Sequence, residues 1–239
     1  MTDLLEHLRQ EVLLCDGAMG SRVQQADLDI EIDYWGQENC TEILNLSRPD
    51  IVREIQAGFV AAGSDILLTN TFGGSPITLA EFDLQDKTHE INKRAGELAR
   101  EALGEFHRDG ISRYVLGDIG PGTKLPSLGQ IDYDELEAAL AAQSAGLLAG
   151  GVDGIMIETV QDILQLKAAV NGARMAMAEA GRQVPLLTQI TVETTGTMLV
   201  GTDIAGAATV INALGIDVMG LNCATGPREM AEHVRWLSE

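Results

Sequence analysis

The 239-residue sequence predicts an α/β fold of the (β/α)8 TIM-barrel type, incomplete, with about six β-α units in one domain spanning residues 1–239. Two observations carry this reading. Short, nearly continuous apolar runs alternate with helical patterns, as strands buried on both faces of a parallel sheet alternate with crossover helices. Distinctive polar residues then follow several of those runs rather than one: Asp16, Thr69-Asn70, Asp118, Glu158-Thr159 and Asn222-Cys223. A barrel assembles its site from many strand–helix loops at one end. The competing architecture, an open doubly wound sheet, would bind a dinucleotide at one glycine-rich turn. The first turn here, Asp16-Gly17-Ala18-Met19-Gly20, lacks the third glycine of that fingerprint, and no G-x-x-x-x-G-K-[ST] occurs.

The expected strands are Val12–Cys15, Asp65–Thr69, Tyr114–Gly117, Gly154–Ile157, Leu186–Ile190 and Val218–Leu221. Between the first two, Ser47 is placed to cap a helix, with Pro49 in its first turn and Asp50 three residues on. Ile51, Ile55, Phe59 and Ala62 share one stripe of that helix. A long helix is expected from about Asp86 to His107, with Ile91, Ala95, Leu98 and Ala102 on one face. Further helices start near Asp132, after Gln161, near Asp203 and after Pro227, the last ending at Leu237. Gly63, Gly110, Gly151, Gly181 and Gly215 sit just past helix ends, where the chain often turns left-handed.

Composition narrows the function. Lysine and arginine total 16 against 36 aspartates and glutamates, a net charge of −20, which repels phosphate backbones and anionic lipid and argues against nucleic-acid and membrane-surface partners. No apolar run approaches the ~18–20 residues that span a bilayer. The charged start, MTDLLEHLRQEV, has no apolar core of a signal peptide. Three widely spaced cysteines make no disulfide framework, so the expected compartment is the cytoplasm.

Each polar strand end has a functional and a plain reading. The Asp16–Gly20 turn exposes backbone N–H groups suited to a carboxylate, or is an ordinary strand–helix turn. Thr69 and Asn70 can hydrogen-bond a small polar ligand, or stabilise their own loop. Glu158 directly after a buried run is costly unless paired, and suits a substrate ammonium. Cys223 is a candidate nucleophile or metal ligand, set against the packing role that most free cysteines play. Alternation turns Cys15 away from the side of Asp16, so it reads as packing, and Cys40 lies in a polar loop without an evident partner. His7, His89, His107 and His233 fall among charged helical residues, so histidine-driven acid–base chemistry is not expected, and no G-x-S-x-G elbow occurs.

Taken together, Leu14-Cys15-Asp16-Gly17-Ala18-Met19-Gly20, Asn45-Leu46-Ser47-Arg48-Pro49, Thr69-Asn70-Thr71-Phe72, Gly117-Asp118-Ile119-Gly120-Pro121, Ile157-Glu158-Thr159 and Gly220-Leu221-Asn222-Cys223 resemble, in this order, the homocysteine S-methyltransferase family. The likeness is nearest to the N-terminal homocysteine-binding module of cobalamin-dependent methionine synthases, and Gly201-Thr202-Asp203 adds to it. The resemblance implies a barrel that methylates homocysteine to methionine on a zinc-activated thiolate; it points to methylcobalamin on a corrinoid-carrying module as donor, with betaine and S-methylmethionine as the alternatives within the wider family. It implies that Asp16, Gly17, Ala18, Met19, Gly20, Thr69, Asn70, Glu158 and Asn222 hold homocysteine and that Cys223 is a zinc ligand. The family's other two zinc thiolates come from a Cys-Cys pair, which this sequence lacks. The expectation is therefore a barrel short of its last two units, roughly 60–80 residues at barrel size. Such a chain is a fragment, is completed by a chain supplying the missing strands, or binds a homocysteine-like ligand without catalysis.

Overall fold

The computed structural model describes residues 3–106 and 110–239. Five parallel strands form one sheet among them: β1 (Ile66–Leu68), β2 (Tyr114–Ile119), β3 (Gly154–Val160), β4 (Leu186–Ile190) and β5 (Val218–Leu221). They lie side by side in chain order, each parallel to the next. Unbroken sequential order means no crossover reverses direction, so the sheet has no topological switch point. That is barrel winding, not the doubly wound alternative. The barrel is not closed.

Alternation along the strands sorts their side chains. Val115 and Ile119 of β2 join the larger core beneath the helices, with Leu147, Ile155, Ile157, Leu166 and Ile190. Tyr114 and Leu116 face the other way, into a smaller cluster with Leu4, Ile66, Met156 and Leu187. Leu4 belongs to the N-terminal helix α1 (Leu4–Gln10), so that helix packs against the inner face of the sheet. The next residue in the inward series of β2 is Asp118.

The outer layer is built mainly from α4 (Pro49–Ala61), α6 (Thr88–Gly104), α7 (Tyr133–Ala149) and α8 (Ile163–Ala180). Between and beyond them lie α2 (Met19–Val23), α3 (Leu44–Ser47), α5 (Pro76–Leu79), α9 (Ile204–Ala213) and α10 (Pro227–Ser238). Helices α7 and α8 approach very closely at Gly172, where a methyl group would stand 2.7 Å from the Ala141 nitrogen and the Glu137 carbonyl oxygen. Asp162 caps α8 by accepting from Leu164 N, and its carboxylate also takes the Ser127 N–H and hydroxyl. Asp203 caps α9 through Gly206 N. All five glycines expected past helix ends have positive φ.

Several expectations need correction. Val12–Cys15 is not a full strand: its pairing shrinks to one parallel bridge, Cys15 with Ile66, and Val12 is 90% exposed. With no neighbour on its outer side, the segment gains hydrogen bonds along one edge only, from Asp65 and Ile66 to Leu14 O and from Asp16 to Ile66 O. Likewise β5 is only half-buried along its length, unlike β2, which is buried throughout. Ser47 does not cap the following helix. It ends α3, and its hydroxyl donates to the Asp33 and Ile43 carbonyls, while Arg48 takes the cap position before Pro49. The helix expected from Asp86 starts at Thr88 and runs to Gly104; His107 lies outside the described residues.

Candidate active site

The strand ends converge on a cavity of about 670 Å³ at the C-terminal edge of the sheet. Asp16 to Gly20, Thr69, Asn70, Asp118, Glu158 and Cys223 all line it, so one space collects residues from the first turn and from the ends of β1, β2, β3 and β5. Glu42, Phe72 and Gln189 also contribute. Among its described lining residues are five carboxyl groups, Asp16, Glu42, Glu81, Asp118 and Glu158, and no lysine, arginine or histidine.

The Asp16 turn is pinned from two sides. Asp16 Oδ2 accepts from Leu68 N at 3.0 Å, which ties the turn to β1, while Oδ1 is buried with no hydrogen-bond partner. Gly17 is required by packing, since a methyl group there would sit 2.8 Å from the Phe59 ring. The short helix α2 follows with Ala18 at its cap position and no side-chain cap. Its first-turn N–H groups have no intrahelical acceptor, so they are available beside the cavity. Burial pushes the Asp16 carboxyl up to about 7, reinforced by the charge of Glu158 and opposed by the hydrogen bond from Leu68.

Asp118 is only 4% exposed. Its backbone is fixed on three counts: Asp118 N donates to Thr69 Oγ1 (2.9 Å), and its carbonyl accepts from Thr71 Oγ1 (2.7 Å) and Gln143 Nε2 (3.3 Å). Its carboxyl meets that of Glu158, a contact that is a hydrogen bond only when one of the two carries a proton. Burial holds the Asp118 acid well above the usual carboxylate range, and the charges of Glu158, Asp16 and Glu42 push it further the same way. Burial also raises Glu158, against the hydrogen bonds from Asp118 and Asn222.

Asn222 stands behind Glu158. Its Nδ2 donates to Glu158 Oε2 (3.1 Å) and Thr159 Oγ1 (2.9 Å), and its Oδ1 accepts from Thr159 N (3.1 Å). Thr159 and Cys223 both adopt left-handed backbone, with φ of 56° and 57°. A β-branched residue there is strained, and such strain persists where the surroundings over-determine it. Here the surroundings are the Asn222 amide and a register shift in β3 between Ile157 and Val160. The result turns the Thr159 hydroxyl to within 3.6 Å of Cys223 Sγ.

The remaining expected residues divide. Thr69 and Asn70 line the cavity, but Asn70 Nδ2 is already committed to the Thr41 carbonyl and Asn45. Asn222 acts through Glu158 and is not part of the lining. Cys15, expected to pack, is exposed and lines the cavity, because no strand covers its outer edge. Cys40, expected in a polar loop, is fully buried among Ile43, Leu79, Leu84 and Ile91, and burial pushes its thiol up to about 12. His7 is half-buried with Nδ1 3.1 Å from the Tyr114 hydroxyl, whereas His89 is exposed as expected.

Three of the cavity's carboxyl groups, Asp118, Glu42 and the exposed Glu81, escaped the sequence assignment of site residues. Asp118 was visible as a strand end, and the buried run before it was the signal that its charge needed a partner. Glu42 lies in an irregular stretch with no periodicity, and only the fold shows it buried, accepting from Gly73 N at 2.7 Å. Zinc does not fit the residues present. Among the described residues no three His, Cys, Asp or Glu side chains are grouped to hold a metal, and Cys223 alone falls short of the three protein ligands that a catalytic zinc needs.

An incomplete parallel barrel with an acid-lined pocket at its C-terminal edge defines a small-molecule enzyme scaffold of the TIM-barrel type. A sequence model described as "Homocysteine S-methyltransferase" matches residues 13–239, and the chain belongs to that family. It is 48% identical over 238 residues to a methionine synthase of Mycobacterium leprae and 48% identical over 237 residues to that of Mycobacterium tuberculosis. These alignments take in 100% and 99% of this chain, which spans about 20% of the length of each relative. Among solved structures, the metallated form of the homocysteine methyltransferase MmuM from Escherichia coli superposes with a TM-score of 0.78 at 17% identity, over 97% of this chain and 81% of the other. Its apo form gives 0.72 over 98% and 79% at the same identity. At that identity the likeness supports the fold alone. No described helix is long and apolar enough to cross a membrane.

Proposed function

We propose that this chain is the homocysteine-holding part of a methyltransferase that converts homocysteine to methionine. The observation that carries the reading is the cavity itself, where carboxyl groups from separate strand ends converge with no cationic side chain among the described lining residues. Such a space is selective for an ammonium group. The carboxylate of an amino acid then needs donors other than lysine or arginine, and the uncapped N–H groups at the start of α2 supply them. Glu158, steadied by Asn222, and Asp16, steadied by Leu68 N, hold the ammonium. Cys223 lines the same cavity beside Thr159, and in this reading the substrate's sulfur end extends toward it.

Family membership supports homocysteine as substrate and the methionine synthase relatives support methionine as product, while the likeness of the sequence motifs to the cobalamin-dependent module points to a methylcorrinoid, carried by a separate module, as donor. Cys223 supplies a single thiolate, short of a zinc site, and no step of this reading runs through the metal. The residues of this chain bind and orient the amino-acid end.

The test is calorimetric. L-Homocysteine and its deamino analogue, 4-mercaptobutanoate, are titrated into the intact protein. Homocysteine is expected to bind at least ~tenfold more tightly, as expected for loss of a charge-assisted contact. Equal affinity for the two would remove the ammonium assignment. If a further chain completes the site, Cys223→Ala is expected to abolish zinc binding by that assembly and Glu158→Ala to retain it; equal zinc content in wild type and Cys223→Ala would refute the ligand role.

A further inference from the structure

The carboxyl pair at the base of the cavity has a further consequence for substrate recognition. Asp118, buried, and Glu158, half-buried, meet at the cavity floor from neighbouring strands. Asp118 pairs in register with Met156, and Glu158 lies two residues further along β3, one pleat above. No donor from another residue reaches Asp118 Oδ1, although it is fully buried. Two ionised carboxylates cannot share such a place, because like charges at hydrogen-bond distance in a poorly solvated site drive one of them neutral. Among the described residues, the charged groups facing Asp118 are acidic: Glu158 from β3, Asp16 from the first turn and Glu42 from the segment before α3. The other neighbours that hydrogen-bond it, Thr69, Thr71 and Gln143, are neutral and reach its backbone only.

The two members of the pair differ in what else holds them. Glu158 Oε2 accepts from Asn222 Nδ2, a bond that stabilises the ionised form, whereas Asp118 has no such donor. The shared proton therefore rests on Asp118. We propose that Asp118 is a positioning residue: a neutral acid that donates to Glu158 and, with Asn222 on the other side, fixes the Glu158 carboxylate as the seat of the substrate ammonium. This rests on the reading of the cavity as an amino-acid site. It adds a residue that neither touches the sulfur nor holds a metal, and it gives a reason for a buried acid that the substrate contacts alone leave unused.

The experiment compares Asp118→Asn, which keeps a donor of similar size, with Asp118→Leu, which removes it. Homocysteine and 4-mercaptobutanoate are titrated into the intact protein and both variants, and an infrared spectrum of each is recorded at pH 8. Asp118→Asn is expected to keep homocysteine affinity within ~threefold, and Asp118→Leu to lose ~tenfold or more with the deamino analogue unaffected, the span of a hydrogen bond to a charged group. The carbonyl band of a neutral carboxylic acid is expected in the wild type and missing from Asp118→Asn. A leucine variant with wild-type preference for homocysteine would overturn the positioning role while leaving the amino-acid reading intact. No homocysteine binding by the wild type would overturn both. If Asp118→Leu does not fold, the infrared comparison decides: an unchanged band in Asp118→Asn sinks the proposal.

Discussion

The middle of the sheet and its two flanks are built differently. In the middle, β2 and β3 are covered by α6, α7 and α8, and Leu147, Ile155, Ile157 and Leu166 are fully buried or nearly so. At the flanks, the Val12–Cys15 segment makes a single bridge, β5 is only half-buried, and α10 has no buried residue. The pocket draws on both. Asp118 and Glu158 come from the middle, whereas Asp16 and Cys223 come from the flanks. The most deeply buried acid, Asp118, thus sits where the fold can exclude water, whereas Asp16, raised by partial burial, and Cys223 sit where neighbouring backbone is unpaired on one side.

The sharpest way to break this comparison is to remove packing from the middle. Leu147 is fully buried against Gly117, where even an added methyl would lie 3.0 Å from its Cδ1. Leu147→Ala is expected to cost about 3–4 kcal/mol, within the range for large-to-small core substitutions, as read from the denaturant midpoint. A loss under ~1 kcal/mol would mean that the middle is not the stability core, since exposed changes fall in that range.

A smaller effect probes the acid cluster through pH. The folded-state value of Asp16 is raised to about 7, against an unfolded value near 3.9. Between these limits the folded protein holds a proton that the unfolded chain has released. Stability therefore falls as pH rises from about 4 to about 7 and levels off above, by at most ~1.4 kcal/mol per pH unit from this one group. The raised Asp118 and Glu158 act with the same sign. Asp16→Asn is expected to flatten part of the slope in melts taken at pH 5, 6 and 8. An unchanged slope would show that Asp16 is better solvated than its 3.0 Å bond to Leu68 N and buried Oδ1 imply.

The same division explains what could be read from the sequence. β2 to β4 and the helices near Asp132, after Gln161 and near Asp203 were legible because continuous apolar runs and helical apolar stripes are local signals. The convergence of Asp16, Thr69, Glu158 and Cys223 was legible for a related reason: strand ends of a parallel barrel must meet at one edge. What failed depends on partners distant in sequence. Val12–Cys15 has strand composition but lacks a neighbour on one side, and no local pattern reports that. Ser47 fits a cap by spacing, yet its hydroxyl is taken by the Asp33 carbonyl. Cys40 is buried by α5 and α6, which lie tens of residues away. Glu42 needed the Gly73 N–H brought to it by the turn after β1.

The smallest effect is expected at the flank. Val234 lies on α10 and is 53% exposed, in a helix whose residues are all exposed or half-buried. Most of the apolar surface that alanine would forfeit is already in water, so Val234→Ala should change stability by less than ~0.5 kcal/mol. Helix propensity pulls slightly the other way, since alanine loses no side-chain entropy on entering a helix and valine does. The two terms nearly cancel, and the denaturant midpoint should barely move. A loss above ~1 kcal/mol would show that this face of α10 is covered in solution, since only a buried valine forfeits that much transfer energy. The flank would then be an interface, and the contrast with the middle of the sheet would no longer hold.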